Sequence, residues 1–198
     1  MARPRQVADE AILTAARACF LEQGPGVSTN VIASAAGVSQ ATLFKRFGTK
    51  EDLLFAALAP RPEHSWLDLA NAGPDERPAR DQLIELANAI TTFFHHLVPS
   101  LMCLRSAGFT PMDMLSRFDE PPPLTARRSL MGWIDRASAA GVIAECDADA
   151  VATALLGGLQ HKVFLAHVIG DDAIALDATT VPRLVDALLA GLKPGGPR

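Results

Sequence analysis

Between Ser28 and Asp52 the chain is punctuated too often for long helices and too regularly for a loop. Ser28 and Thr29 suit the N-cap of a short helix carrying Val31, Ile32 and Ala35. Gly37 ends it, and Ser39 starts another that runs through Phe44 to Phe47. Gly48-Thr49 stops that one, and Thr49 caps a further helix whose first turn holds Glu51 and Asp52, charges that complement the helix dipole. Upstream, Ile12, Ala15, Ala16, Cys19 and Phe20 recur at helical spacing from Val7 to Leu21, until Gly24-Pro25-Gly26 closes the segment.

A longer first helix followed by two short ones across a tight glycine turn is the pattern of a helix-turn-helix unit. In Ala36-Gly37-Val38-Ser39 the glycine can turn left-handed, the valine can plug a small core and the serine can restart the helix. On turns and apolar spacing alone, a plain three-helix scaffold without a nucleic-acid role fits equally well.

Charge separates the two ends of the chain. The total is −4, yet residues 1–50 hold six basic side chains (Arg3, Arg5, Arg17, Lys45, Arg46, Lys50) against three acids (Asp9, Glu10, Glu22), a net of +3. The remaining residues carry a net of −7. A basic end on an acidic body is the distribution expected of a small nucleic-acid-facing domain joined to a different one. Hydrophobic residues make up 49% of the chain, enough for a substantial core. The opening Met1–Gln6 is charged and no apolar run follows, which argues against a signal peptide, and no apolar stretch approaches spanning length. Cys19, Cys103 and Cys146 match neither a disulfide framework nor a metal motif. These features predict a soluble, cytoplasmic protein with no cofactor.

Past Leu58, Pro60-Arg61-Pro62 and Gly73-Pro74-Asp75-Glu76-Arg77-Pro78 read as a loop-rich connection. Helical segments are predicted over residues 79–97, 99–107, 121–140, 147–169 and 179–192, with Pro99 as one of the breakers. There is no internal repeat.

The stretch from Thr29 to Leu54 resembles the DNA-binding signature of the TetR family of transcriptional regulators. The resemblance is carried by Ile32-Ala33, Ala36-Gly37-Val38-Ser39, Thr42-Leu43-Phe44, Phe47 and Lys50-Glu51-Asp52-Leu53-Leu54. It covers roughly the first 55 residues and implies an all-α protein. Residues 1–55 would form a three-helix helix-turn-helix DNA-binding domain. Residues 56–198 would form a larger helical domain for effector binding and dimerisation. Two departures are visible: Phe44 stands where tyrosine is usual, losing a hydroxyl that holds a phosphate, and Ala41 replaces a frequent glycine.

On that resemblance, the segment from Ser39 to Lys45 reads double-stranded operator DNA in the major groove. Gln40 is the best base reader, because its amide can pair with adenine at two points. Ala41 and Thr42 offer methyl groups to thymine, and the Thr42 hydroxyl is an alternative phosphate contact. Lys45, Arg46 and Lys50 are expected on phosphates, which set affinity and register. Thr29 and Asn30 correspond to positions touching the backbone or an adjacent base, and Phe44 keeps the packing of its tyrosine counterpart. Arg3 and Arg5 form a short basic arm with minor-groove potential. Leu43 and Phe47 are core.

The resemblance further implies a homodimer, formed through the last two helices. Leu155, Leu159, Val163, Ala166 and Ile169 fall near one face of the first, and Val181, Leu184, Val185, Leu188 and Leu189 near one face of the second, with intramolecular core as the alternative that many of them must also serve. It implies a small-molecule effector that releases the operator, and repression as the mode of control. Phe93, Phe94, Met102, Phe109, Met112, Met114, Trp133, His161 and Phe164 are candidates to line an apolar or aromatic effector pocket, with ordinary core as the alternative for each. Arg105 is a second candidate, beside His161, for an orienting polar contact. Neither His95-His96 nor His161 with His167 has the spacing of a shared metal site. The competing classes are an architectural DNA binder without an effector and an α-helical enzyme. No nucleophile elbow, phosphate loop or dinucleotide fingerprint supports the latter, and Cys103, which with His95 or His96 would make a dyad, is explained as well by a buried small hydrophobe.

Overall fold

The computed structural model describes residues 8–59, 66–170 and 177–191. Within them are ten helices and no strand: α1 (Asp9–Gln23), α2 (Thr29–Ala35), α3 (Gln40–Phe47), α4 (Lys50–Leu58), α5 (Leu67–Ala72), α6 (Ala79–Ser106), α7 (Pro111–Leu115), α8 (Pro122–Ala139), α9 (Ala148–Ile169) and α10 (Thr180–Ala190). The all-α expectation holds, and the chain divides into two compact units.

The first unit combines the described residues of 1–60 with Pro99–Met114. Helix α1 buries Ile12, Ala16, Cys19 and Phe20, the i, i+4, i+7, i+8 positions that form one helical stripe. Against it lie Ile32 and Ala33 of α2, Leu43 of α3, and Leu53, Leu54, Ala57 and Leu58 of α4. Cys103 and Leu104 from the end of α6 complete this core. The Cys103 thiol donates to the carbonyl of Phe20 at 3.5 Å, and burial pushes its pKa up. That is the opposite of what a nucleophilic thiolate needs.

The second unit comprises the described residues of 61–98 and those from Leu115 onward. Its core joins Trp66 and Ala70 to Leu86 and Ile90 of α6, Leu130, Trp133 and Ile134 of α8, Leu155, Leu159 and Val163 of α9, and Val181 and Val185 of α10.

Three differences from the sequence expectation have physical causes. Pro99 does not break its helix: α6 runs through it from Ala79 to Ser106. Proline removes one helical hydrogen bond, but Val98, Ser100, Cys103 and Leu104 around it are all buried, and that packing outweighs the loss. Helix α5 sits where a loop was expected. Its anchors are tertiary: Trp66 and Ala70 are buried, and the Arg136 guanidinium of α8 donates to the carbonyl of Ala70 at 2.8 Å. Helix α7 was also missed. Thr110 and Asp113 bond reciprocally around its first turn, Thr110 N–H to the Asp113 carboxylate at 2.8 Å and Asp113 N–H to the Thr110 hydroxyl at 3.1 Å.

Candidate nucleic-acid interface

The short helices α2 and α3 are held at both ends by local chemistry. The Ser28 hydroxyl accepts from Val31 N–H at 3.3 Å and starts α2. At its other end Gly37 takes φ of +67°, so that its N–H reaches the Ser34 carbonyl (3.1 Å) and Val38 N–H reaches that of Ala33 (3.0 Å). This is a Schellman closure, which needs the left-handed residue that glycine supplies without strain. Val38 then packs half-buried on the core of the unit.

Ser39 restarts the chain as the cap of α3, its oxygen accepting from Thr42 N–H at 3.1 Å. The Ser39 and Thr42 hydroxyls are also 2.9 Å apart and hydrogen-bonded, which turns the Thr42 hydroxyl toward the cap. Leu43 points into the core and Phe47 packs half-buried against it. The opposite side of α3, where positions 40, 41, 44 and 45 fall within about 140° of helical arc, is exposed as Gln40, Ala41, Phe44 and Lys45. Phe44 is 42% exposed, so it serves the surface rather than the core. Behind α3, the Thr49 and Asp52 capping box fixes α4 and sets Lys50, half-buried, at its first position.

Two tertiary contacts orient this surface. Gln40 Nε2 donates to Thr29 Oγ1 at 2.5 Å, joining the first residues of α3 and α2. Arg46, expected on a phosphate, pairs with Asp9 of α1, its Nη1 3.0 Å from Asp9 Oδ1, and its side chain is only 19% exposed. Asn30 is exposed beside the half-buried Thr29. Thus Thr29, Asn30, Ser39, Gln40, Ala41, Thr42, Phe44, Lys45, Arg46 and Lys50 all belong to one unit. Arg3 and Arg5 lie outside the described residues.

The effector candidates are not brought together. Phe94 and Trp133 are buried in the core of the second unit, with Phe93 packed on it. Phe109 and Met114 pack on the first unit's core instead, Phe109 against Phe55 with ring centroids 6.2 Å apart. Met102 and Met112 are exposed, as are Arg105, His161 and Phe164. Aromatic residues at helical spacing here are mostly core. The second unit instead has an apolar pocket of about 120 Å³, lined by Leu83, Ile134, Ile143, Ala144, Cys146, Val151, Leu155, Val185, Leu188 and Leu189. No residue of the expected lining takes part. Short aliphatic side chains from four helices and the α8–α9 connection carry no local signal of a pocket.

The expected dimer face also divides. Leu155, Leu159, Val163 and Ala166 are buried within the chain, as are Val181 and Val185. The large apolar residues that α9 leaves exposed are Phe164, Val168 and Ile169, and α10 leaves Leu189. Among the described residues no helix is long and apolar enough to cross a membrane, and no group of three or more His, Cys, Asp or Glu is placed to hold a metal.

A capped helix-turn-helix that exposes Gln40, Ala41, Phe44 and Lys45, in a chain with a second helical unit, is the architecture of a DNA-binding regulator. Residues 12–57 match the model of the bacterial regulatory proteins of the tetR family. No curated protein matches the sequence. Among solved structures, the chain is similar to the fatty acid degradation regulator FadR from Bacillus halodurans, at 19% identity and a TM-score of 0.66 over 96% of this chain and 99% of that one. It is also similar to the regulator FadR from Bacillus subtilis in complex with stearoyl-CoA, at 20% identity and 0.67 over 94% and 100%. A TetR transcriptional regulator from Streptomyces coelicolor matches at 26% identity and 0.56 over 93% and 98%. Residues 12–57 are thus a TetR-type DNA-binding segment, and the fold of the chain is that of TetR-family transcriptional regulators.

Proposed function

We propose that this regulator is a cytoplasmic repressor, not an enzyme, that binds a palindromic operator as a homodimer and leaves it when an apolar or aromatic effector enters the helical body. In this reading, residues 1–55 carry the DNA contacts, and residues 56–198 carry the effector site and the dimer face. The observation that carries it is the exposed side of α3, where Gln40 and Ala41 face outward with Lys45 beside them. Gln40 reads adenine, Ala41 and the Thr42 methyl meet thymine, and Lys45 and Lys50 hold phosphates. One such helix reads too few base pairs to select a site, so two copies act about one turn of DNA apart.

The effector is the finer part of the proposal. FadR from Bacillus subtilis has been captured with stearoyl-CoA, a ligand with a long apolar chain, and the pocket here is lined by apolar side chains and the Cys146 thiol. Its volume of about 120 Å³ is below the roughly 300–1,000 Å³ of ordinary ligand sites. The effector therefore has to widen it, and binds the wider conformation better. A ligand that prefers a conformation with mismatched recognition helices by about 10⁴-fold reverses a 99:1 equilibrium.

Selection of bound fragments from the source genome tests the first part: a palindromic consensus supports it, and equal affinity for all sequences makes the protein an architectural binder instead. Operator release by acyl-CoAs of increasing chain length tests the second. Val151→Phe, which fills the pocket, should keep operator binding and lose release.

A further inference from the structure

Gln40 is the exposed first residue of α3, and three side-chain torsions would ordinarily leave its amide free to swing and to turn over. The structure ties it down: Nε2 donates to the hydroxyl oxygen of Thr29, eleven residues earlier and first in α2, at 2.5 Å. We infer that Thr29 is a specificity-positioning residue, whose hydroxyl holds the Gln40 amide in the orientation that reads adenine and refuses guanine. This inference rests on Gln40 being the base reader.

The chemistry follows from counting donors and acceptors. The amide nitrogen has two hydrogens and the amide oxygen two lone pairs. Giving one hydrogen to Thr29 leaves one N–H and the carbonyl oxygen. Those are the donor and acceptor that adenine requires, N–H to its N7 and oxygen to its N6 amino group. Guanine offers acceptors at both N7 and O6, so it is served by an amide that turns its NH₂ group toward both. With one hydrogen committed to Thr29, Gln40 cannot do this without breaking the bond. The tie also removes motion before DNA arrives, which lowers the ordering cost of binding. Accepting from Gln40 uses one lone pair of the Thr29 oxygen and leaves its O–H for a phosphate, so the backbone contact expected there is compatible with this role.

The full-length dimer can be tested on duplexes with a randomised stretch of about 30 base pairs, enough for two half-sites. Thr29→Val keeps shape and β-branching but removes the acceptor, and Thr29→Ser restores it. A neutral hydrogen bond corresponds to roughly a 2- to 12-fold factor in an equilibrium constant. Thr29→Val should therefore reduce the adenine-over-guanine preference at one base pair per half-site by that factor, with little change at other positions. Thr29→Ser should retain the preference. Thr29→Val made in the Gln40→Ala background should change no base preference further. Uniform weakening by Thr29→Val across all sequences, or an unchanged preference while Gln40→Ala flattens that position, would overturn the inference and leave Gln40 as reader. If Gln40→Ala flattens no position, the base-reading role itself fails and takes this inference with it. Circular dichroism melting of each variant separates these outcomes from loss of fold.

Discussion

Arg46 of α3 reaches back to Asp9 at the start of α1, with Nη1 3.0 Å from Oδ1. Helix α3 is thereby pinned near its C-terminal end by an ion pair and at its first residue by the Gln40–Thr29 bond. Asp9 is 66% exposed, which keeps the pair at the surface value of about 0.2–1 kcal/mol. Arg46→Ala loses this pair and the packing of a largely buried side chain, and should lower stability and weaken operator binding through loss of orientation.

Lys45 supplies the contrast, since it is exposed on the reading side. Lys45→Ala should weaken all DNA sequences alike and reduce the slope of log affinity against log salt by about one per lost phosphate contact, doubled across a dimer. Arg46→Ala should change that slope less. Equal slope changes for the two variants would show that Arg46 leaves Asp9 for a phosphate when DNA binds.

The Thr49–Asp52 capping box makes a stability prediction. Thr49 Oγ1 accepts from Asp52 N–H at 3.0 Å, and Asp52 Oδ2 accepts from Thr49 N–H at 3.3 Å. Thr49→Ala removes the first bond and should destabilise the fold by about 1 kcal/mol, read as a shifted urea midpoint at unchanged m-value. A Cβ on the preceding Gly48, where φ is +76°, would lie 3.3 Å from Asp52 Oδ2. Gly48→Ala should therefore be the more damaging change, through backbone strain and crowding together.

The helix-turn-helix was legible because its determinants are local. Ser28, Gly37, Ser39, Gly48 and Thr49 each act within a turn or two of themselves, and each does so in the structure. The same signal went unread at Thr110 and Asp113, where a threonine, a proline in the first helical position and an acid three residues on start α7 just as Thr49 and Asp52 start α4. Pro99 does mark a boundary, though not that of a helix: the part of α6 up to Val98 belongs to one compact unit and the part from Pro99 to the other. The rest depends on contacts distant in sequence. Arg136 supports the end of α5 across 66 residues, and the pocket is assembled from α6, α8, α9 and α10. Composition pointed instead to Phe94 and Trp133, whose burial is core packing.

Acid sensitivity is expected in the second unit. Arg80 of α6 donates to Asp186 of α10 through Nε at 2.6 Å and Nη2 at 3.1 Å, and these bonds hold the Asp186 carboxyl below its ordinary pKa. Such a carboxyl binds its proton less readily in the folded chain than in the unfolded one. The contact is therefore intact above about pH 4 and is lost as the pH falls below that value. Carboxyl NMR titration should place the Asp186 midpoint below those of free surface carboxylates, and Arg80→Ala should return it to the ordinary range. Both groups are half-exposed, so salt near 1 M, where the screening length is about 3 Å, should reduce the difference.

The proposed dimer face yields the last prediction. On α9, Leu159 and Val163 point into their own unit, while Phe164 is 43% exposed and Val168 is 52% exposed. Phe164 and Val168 are four residues apart and share one side of the helix. Exposed apolar residues of this kind need a partner to be removed from water, and a second copy of the same helix provides one by two-fold symmetry. Phe164→Glu with Val168→Glu should leave helicity and melting close to those of the parent chain, because neither residue belongs to the core. The same variant should sediment as a monomer and lose about 10²-fold or more in affinity for a full palindrome, since the second half-site would no longer be held nearby. Its affinity for a single half-site should be unchanged. Leu159→Glu is the control for core damage and should unfold the second unit outright. A Phe164→Glu, Val168→Glu protein that still sediments as a dimer would move the interface away from this side of α9.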